Sequence, residues 1–310
     1  MPPATTPPPT AIRLEINGIV QGVGFRPFIY GLAGRYGLTG EVANTATGVS
    51  LRLEGPADQI QSFIDDLPRR KPPLAQIVEI SRTQAPLSGF TAFSIVKSQA
   101  STTRATLISP DVMVCEDCLA EMRDPADRRY RYPFINCTNC GPRYTIIDDI
   151  PYDRPKTSMR HFTMCPDCQA EYDDPNNRRF HAQPNACPVC GPQVTLCNGR
   201  GIPIDTDDPI AAAARRIRAG RIVAVKGLGG FHLAVDAVNE AAVVRLRRRK
   251  HREEKPLALM CASIEHIRAL ARITPEEEKV LVSIQRPIVL LEKNAATPIA
   301  ASVAPKSRTF

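Results

Sequence analysis

GIVQGVGFR, residues 18–26, carries the chain from an alternating stretch into a proline-initiated helix, and the fold of the first hundred residues follows from it. Upstream, Ile12, Leu14 and Ile16 alternate with Arg13, Glu15 and Asn17, the period-two pattern of a strand with one buried face. Downstream, Pro27 suits the first turn of a helix, Phe28, Ile29, Leu32 and Ala33 form its apolar face, and Gly37 closes it. Residues 41–45 and 49–54 predict a hairpin around Thr47 and Gly48. A second helix starts at Pro56 with the stripe Ile60, Phe63, Ile64 and Leu67, and residues 76–82 and 90–96 supply further extended segments.

The order β-α-β-β-α-β predicts an α+β, ferredoxin-like sandwich with two helices on one face of an antiparallel sheet. We place this domain at 11–97, after a proline-rich 1–10 tail that reads as disordered and before a Ser/Thr/Ala-rich linker at 98–111. Where the loop meets the helix N-terminus, the backbone N–H groups of Gln21, Gly22, Val23, Gly24 and Phe25 can face an anion. Arg26 adds a guanidinium fork suited to a phosphoryl group. A plain structural turn with a surface arginine is the alternative. GIVQGVGFR and the later EVANTATGVSLRLEG (41–55) resemble, in order, the two signatures of the acylphosphatases. That resemblance implies that Arg26 holds the phosphate and Asn44 orients the attacking water. A neutral amide suits this reaction, because an acyl phosphate has a good leaving group and needs positioning more than a strong base.

Beyond the linker the sequence repeats with a period of 50 residues: CEDCLAEMRDPADRR (115–129) against CPDCQAEYDDPNNRR (165–179). Cys115, Cys118, Cys137 and Cys140 map onto Cys165, Cys168, Cys187 and Cys190, and both copies end in Cys-Gly-Pro. Paired C-x2-C motifs suit tetrahedral thiolate coordination, so residues 112–200 are expected to hold two structural zinc ions with no open position for substrate. Pairing within each repeat is simplest, and the spacing also permits a crossed arrangement. With four cysteines per repeat, His161 and His181 are not needed as ligands. Cys197 and Cys261 read as buried small residues.

From 201 to 310 strands and helices alternate, indicating an incomplete α/β domain. Asp208 and Pro209 form a helix start, Gly220 a stop, and residues 239–249 a second helix. IVAVK (222–226), LALMC (257–261) and PIVLLE (287–292) are read as strands and GLGG (227–230) as a flexible loop. VKGLGGFHLAVDA and RRRKHREEKPLALM resemble the opening of a YrdC-like carbamoyl-nucleotide domain. That implies that Lys250 and Arg252 grip a triphosphate, with Lys226 and Lys255 as further candidates. A solvent-exposed basic helix face is the plain alternative.

The domain order resembles the HypF-type carbamoyltransferases of NiFe-hydrogenase maturation over residues 11–304. By that resemblance carbamoyl phosphate is hydrolysed at the acylphosphatase site. Carbamate then joins ATP, with Mg2+, as carbamoyl-adenylate, and the carbamoyl group passes to the C-terminal cysteine of a partner maturation protein. The family continues into the second half of the YrdC-like domain and an ATPase-like domain. The 310 residues are therefore expected to cleave carbamoyl phosphate without completing ATP-dependent transfer, with Ile288, Val289, Leu290 and Leu291 short of cover.

A formal charge of +8 favours anionic partners. An RNA-binding or RNA-modifying zinc protein is one alternative; 5% aromatic residues and no dense basic stripe disfavour RNA. A noncatalytic partner-binding fragment is the other. The N-terminus lacks the basic start and apolar stretch of a secretory signal, and no apolar window approaches a membrane span, so a cytoplasmic protein with no membrane partner is expected.

Overall fold

The computed structural model describes residues 8–98 and 107–310. Most of the 1–10 tail and of the 98–111 linker thus lies outside the described residues. The chain divides into two units, Met1–Pro192 and Gln193–Phe310.

In the first unit β1 (Thr10–Ile19), α1 (Phe25–Arg35), β2 (Thr39–Asn44), β3 (Gly48–Gly55), α2 (Ala57–Arg70) and β4 (Gln76–Gln84) follow the expected order. A short β5 (Phe93–Ile95) completes a sheet ordered β4-β1-β3-β2-β5. All pairings are antiparallel except β2 with β5, which is parallel, so the sheet is not wholly antiparallel as the sequence suggested. Alternation gives a strand's faces but not its direction relative to a neighbour. Helix α1 starts at Phe25 rather than Pro27. Pro27 is still within the first turn, where its missing N–H would have no intrahelical partner. Ile12, Leu14 and Ile16 of β1 pack with Ile29 of α1 and with Ile60, Phe63 and Leu67 of α2, so two amphipathic helices cover one face of the sheet.

The same unit continues into the repeats. Helices α3 (Glu116–Arg123) and α4 (Pro166–Asp173) each begin directly after the first cysteine of their repeat. Apart from these, the repeats are turns and short 3-10 segments around Cys118, Tyr132, Ile135, Ile146 and Met159. A module with so small an apolar centre needs another source of stability.

The second unit contains α5 (Pro209–Arg218), β6 (Val223–Lys226), β7 (Phe231–Ala234), α6 (Glu240–Lys250), α7 (Ile264–Leu270) and α8 (Pro275–Leu281). The Asp208 carboxylate accepts from the Ala211 N–H at 2.8 Å, capping α5 as its sequence implied. Residues 227–230 close an antiparallel hairpin between β6 and β7, with Gly227 N–H donating to the Gly230 carbonyl at 2.8 Å. The second strand of that hairpin was not read from the sequence. LALMC and PIVLLE are not strands. Among the described residues neither has a neighbouring ladder, and single contacts hold them instead: Leu257 N–H to Val303 O at 2.9 Å, and an isolated bridge between Glu292 and Thr309. Apolar runs of this length specify burial but not a pairing partner. Their burial is uneven, with Leu291 buried and Ile288 81% exposed. Cys197 is exposed and Cys261 only half-buried, which corrects the expectation of two core cysteines; Cys197 lies at the base of a tight turn, bridged to Pro203, with no layer packed over it. No helix among the described residues is long and apolar enough to cross a membrane.

Candidate functional site

The loop after β1 turns into α1 through Gly22 (φ 72°) and Gly24 (φ 74°). Both lie in the left-handed region, where a side chain is strained, and a Cβ on Gly22 would come within 3.1 Å of the Arg143 side chain. Gln21 braces this turn: its amide nitrogen donates to Thr45 O and Gly48 O, both at 2.7 Å, and its amide oxygen accepts from Tyr152 N–H at 2.9 Å. The Gln21 side chain is thus committed to holding the loop against the β2–β3 hairpin. Arg26, in the first turn of α1, and Asn44, at the end of β2, are both buried and face one another's neighbourhood.

What joins them is a segment of the cysteine repeats. The Tyr152 carbonyl accepts from Asn44 Nδ2 at 3.2 Å and from Arg26 Nη2 at 3.4 Å, while Asp153 Oδ1 pairs with the same Nη2 at 2.9 Å. Asn44 Oδ1 is buried without a hydrogen-bond partner, an acceptor poised for a donor such as water. The cavity lined by Gly22, Gly24, Arg26, Asn44, Arg143 and Tyr152 measures about 30 Å³, room for one water rather than a phosphate. His181 also borders it; burial, and next the charge of Arg26, hold its imidazole down at about 4, so it is neutral near pH 7. Sequence reasoning missed Tyr152, Asp153, Arg143 and His181 as neighbours of this cavity, because each lies more than 100 residues from the loop and matches no motif.

The cysteines group within their own repeats: Cys115, Cys118, Cys137 and Cys140, then Cys165, Cys168, Cys187 and Cys190. Sulfur separations are 3.8, 3.7 and 3.5 Å around the first cluster and 3.7, 3.8 and 3.6 Å around the second. A tetrahedron with bonds of about 2.3 Å has edges of about 3.8 Å, so both clusters fit a tetrahedral thiolate site. Neither His161 nor His181 joins a cluster among the described residues.

The arginines shared by the repeats cap the opposite cluster. Arg128 and Arg129 donate to Cys168 Sγ at 3.2 and 3.5 Å, and Arg178 donates to Cys118 Sγ at 3.2 Å. Glu171 accepts from Arg129 at 2.6 Å and pairs with Arg128 at 2.7 Å; Glu121 accepts from Arg178 at 3.1 Å and also from Arg179. Burial pushes the Glu171 carboxyl up, but Arg129 and Arg128 hold it down at about 2. The Glu-to-Arg-Arg positions common to both repeats (Glu121, Arg128 and Arg129; Glu171, Arg178 and Arg179) thus make a reciprocal exchange of cations, which cysteine spacing alone does not reveal.

In the second unit, Lys250 ends α6, and Arg252 and Lys255 lie in the loop beyond it. The Arg252 guanidinium folds back on Lys255 O at 3.1 Å and Pro256 O at 2.5 Å. Lys226 stands on β6 with its ammonium 5.4 Å from the Phe231 ring. Arg247, part of the basic run, is buried instead of solvated, and its guanidinium donates to Arg252 O, Glu253 O, Lys255 O and Val303 O. It shapes the loop that carries the candidate cations.

Residues 12–95 match the acylphosphatase family model, 114–147 and 164–197 the HypF finger, and 215–310 the Sua5/YciO/YrdC model described as telomere recombination. The chain is 52% identical over 288 residues to carbamoyltransferase HypF2 of Cupriavidus necator, covering 92% of this chain and 35% of that protein. It is 47% identical over 295 residues to carbamoyltransferase HypF of Synechocystis, covering 95% of this chain and 38% of that one. A crystal structure of full-length HypF in the phosphate- and nucleotide-bound form superposes with a TM-score of 0.92 at 46% identity, over 99% of this chain and 40% of that chain. The chain therefore spans little more than a third of these HypF relatives, and within that span it has both finger repeats and the flanking domains in the same molecule. It belongs to the HypF carbamoyltransferase family.

Proposed function

We propose that Arg26 and Asn44 form an acyl phosphate hydrolysis site that acts on carbamoyl phosphate, as one part of a carbamoyltransferase of NiFe-hydrogenase maturation. The observation that carries this reading is the Tyr152 carbonyl: a single oxygen receives hydrogen bonds from both Arg26 and Asn44. A substrate oxygen brought to that point would be held by the same two donors. The 150–154 segment has to withdraw for this, since the cavity is far too small for the substrate, and the phosphoryl group then takes over from Asp153 as the partner of Arg26.

Arg26 and the N–H groups of Gly22 to Phe25 bind the phosphoryl oxygens and offset charge that builds on them. Asn44 orients water through its unpartnered Oδ1. Water oxygen bonds to phosphorus as the bond from phosphorus to the acyl oxygen breaks, giving inorganic phosphate and carbamate, with the water's proton passing to the phosphate product. Carbamate in water decomposes, so its use requires prompt capture. In the complete reaction that capture is condensation with Mg2+-bound ATP to carbamoyl-adenylate and pyrophosphate, with Lys250, Arg252, Lys226 and Lys255 as the proposed triphosphate contacts. The acceptor is a C-terminal cysteine of a partner maturation protein. The two cysteine clusters bind zinc and serve structure, since four thiolates leave no open coordination position.

Asn44→Ala tests the site. It is expected to lower kcat for phosphate release from carbamoyl phosphate by roughly a hundredfold and to leave KM within a few-fold, because water positioning matters in the transition state more than in binding. A raised KM with unchanged kcat would assign Asn44 to substrate binding instead.

A further inference from the structure

We propose that Arg143, contributed by the first cysteine repeat, is a positioning residue that sets the orientation of the phosphate-binding loop; the inference rests on the hydrolysis site proposed above. Its guanidinium is buried and donates to the Gly22 carbonyl from Nε. The other nitrogens donate to Pro142 O at 2.8 Å, Cys137 O at 3.0 Å and Thr138 O at 2.9 Å. One side chain therefore ties the loop to the backbone of the Cys137–Cys140 knuckle.

The consequence follows from peptide geometry. A trans peptide places its carbonyl oxygen and the following N–H on opposite sides of one rigid plane. Fixing Gly22 O against Arg143 therefore also fixes the direction of the Val23 N–H, one of the backbone donors of the proposed anion cradle. Gly22 sits at φ 72°, and glycine visits both signs of φ at little cost. Without the anchor this peptide can flip, presenting a carbonyl oxygen where a phosphoryl oxygen should bind. The anchor itself is held in turn: Asp111 Oδ1 accepts from Arg143 N–H at 2.7 Å and from Thr145 N–H at 3.1 Å. All four side-chain acceptors are carbonyls, so the positive charge of Arg143 is not cancelled by a carboxylate bonded to it and adds attraction for an anion in the cavity it lines. The finger repeat thus acts as part of the phosphate site as well as a separate module.

Arg143→Ala in the 310-residue chain is expected to raise KM for carbamoyl phosphate, and the inhibition constant of inorganic phosphate, roughly tenfold. Zinc content should be unchanged and kcat should fall less than KM rises. Guanidinium ion added at millimolar concentration should restore part of the phosphate affinity. Arg143→Lys, which keeps the charge but offers no fork, should fall between the two and serves as the deciding variant if the alanine chain loses metal. The backbone amide of Val23, followed by 15N NMR with and without inorganic phosphate, should lose its phosphate-dependent shift in Arg143→Ala and keep only part of it in Arg143→Lys. KM, phosphate inhibition and the Val23 shift all matching the parent in a zinc-replete variant would overturn the proposal. No turnover by the parent chain itself would instead remove the hydrolysis reading on which it rests.

Discussion

Arg26→Ala is expected to cut phosphate release from carbamoyl phosphate by roughly a thousandfold or more, the scale seen when a principal charge-stabilising donor is lost. The guanidinium proposed to bind the phosphoryl oxygens disappears, and Asp153, paired with it at 2.9 Å, loses that partner in the substrate-free chain. The fold should survive, because Arg26 is not a member of the apolar layer formed by Ile12, Leu14, Ile29 and Phe63. Arg26→Lys should recover only a small part, as an ammonium cannot hold two oxygens in a planar fork. Parent-like turnover in a folded Arg26→Ala chain would sink the assignment of the site. An equal loss in unfolding cooperativity would show that Arg26 acts through structure.

The second large effect concerns the clusters. Cys118→Ser is expected to reduce bound zinc from two ions per chain to near zero, where independent sites would fall to one. Small metal modules draw most of their folding free energy from the ion. Here each repeat also supplies the cations that cap the other: Arg178 reaches Cys118, while Arg128 and Arg129 reach Cys168. Unfolding the first repeat therefore withdraws two guanidinium groups from the thiolates of the second, and also separates the buried Arg129 from Glu171. Elemental analysis after gel filtration reads the stoichiometry. Retention of one tightly held zinc in Cys118→Ser would show that the repeats load independently.

Much of the architecture was legible because local signals agreed. Alternation in Ile12–Ile16, a glycine turn and a proline-initiated helix dictated the start of the sandwich, and a 50-residue period dictated two equivalent sets of four cysteines; that each set closes within its own repeat, which spacing left open, comes from the fold. Two elements failed for one reason. LALMC and PIVLLE are apolar enough for strands, but a strand exists only with a partner, and apolar runs carry no information about pairing. The site was legible in part. Arg26 and Asn44 stood out because their motifs are local to the loop and hairpin. The groups that close and brace the cavity, Tyr152, Asp153 and Arg143, come from a different module, and only folding brings an arginine three residues past a cysteine knuckle against the carbonyl of Gly22. The basic run before Lys250 misled in the opposite direction, since Arg247 spends its charge on loop carbonyls inside the unit.

The most direct test of the account is release of inorganic phosphate from carbamoyl phosphate by the purified, zinc-replete 310-residue chain with no ATP present, measured against the spontaneous decomposition of the substrate. Saturable turnover well above that background, inhibited competitively by inorganic phosphate, is the expected result. Phosphate release at the background rate from a folded chain holding two zinc ions would contradict it.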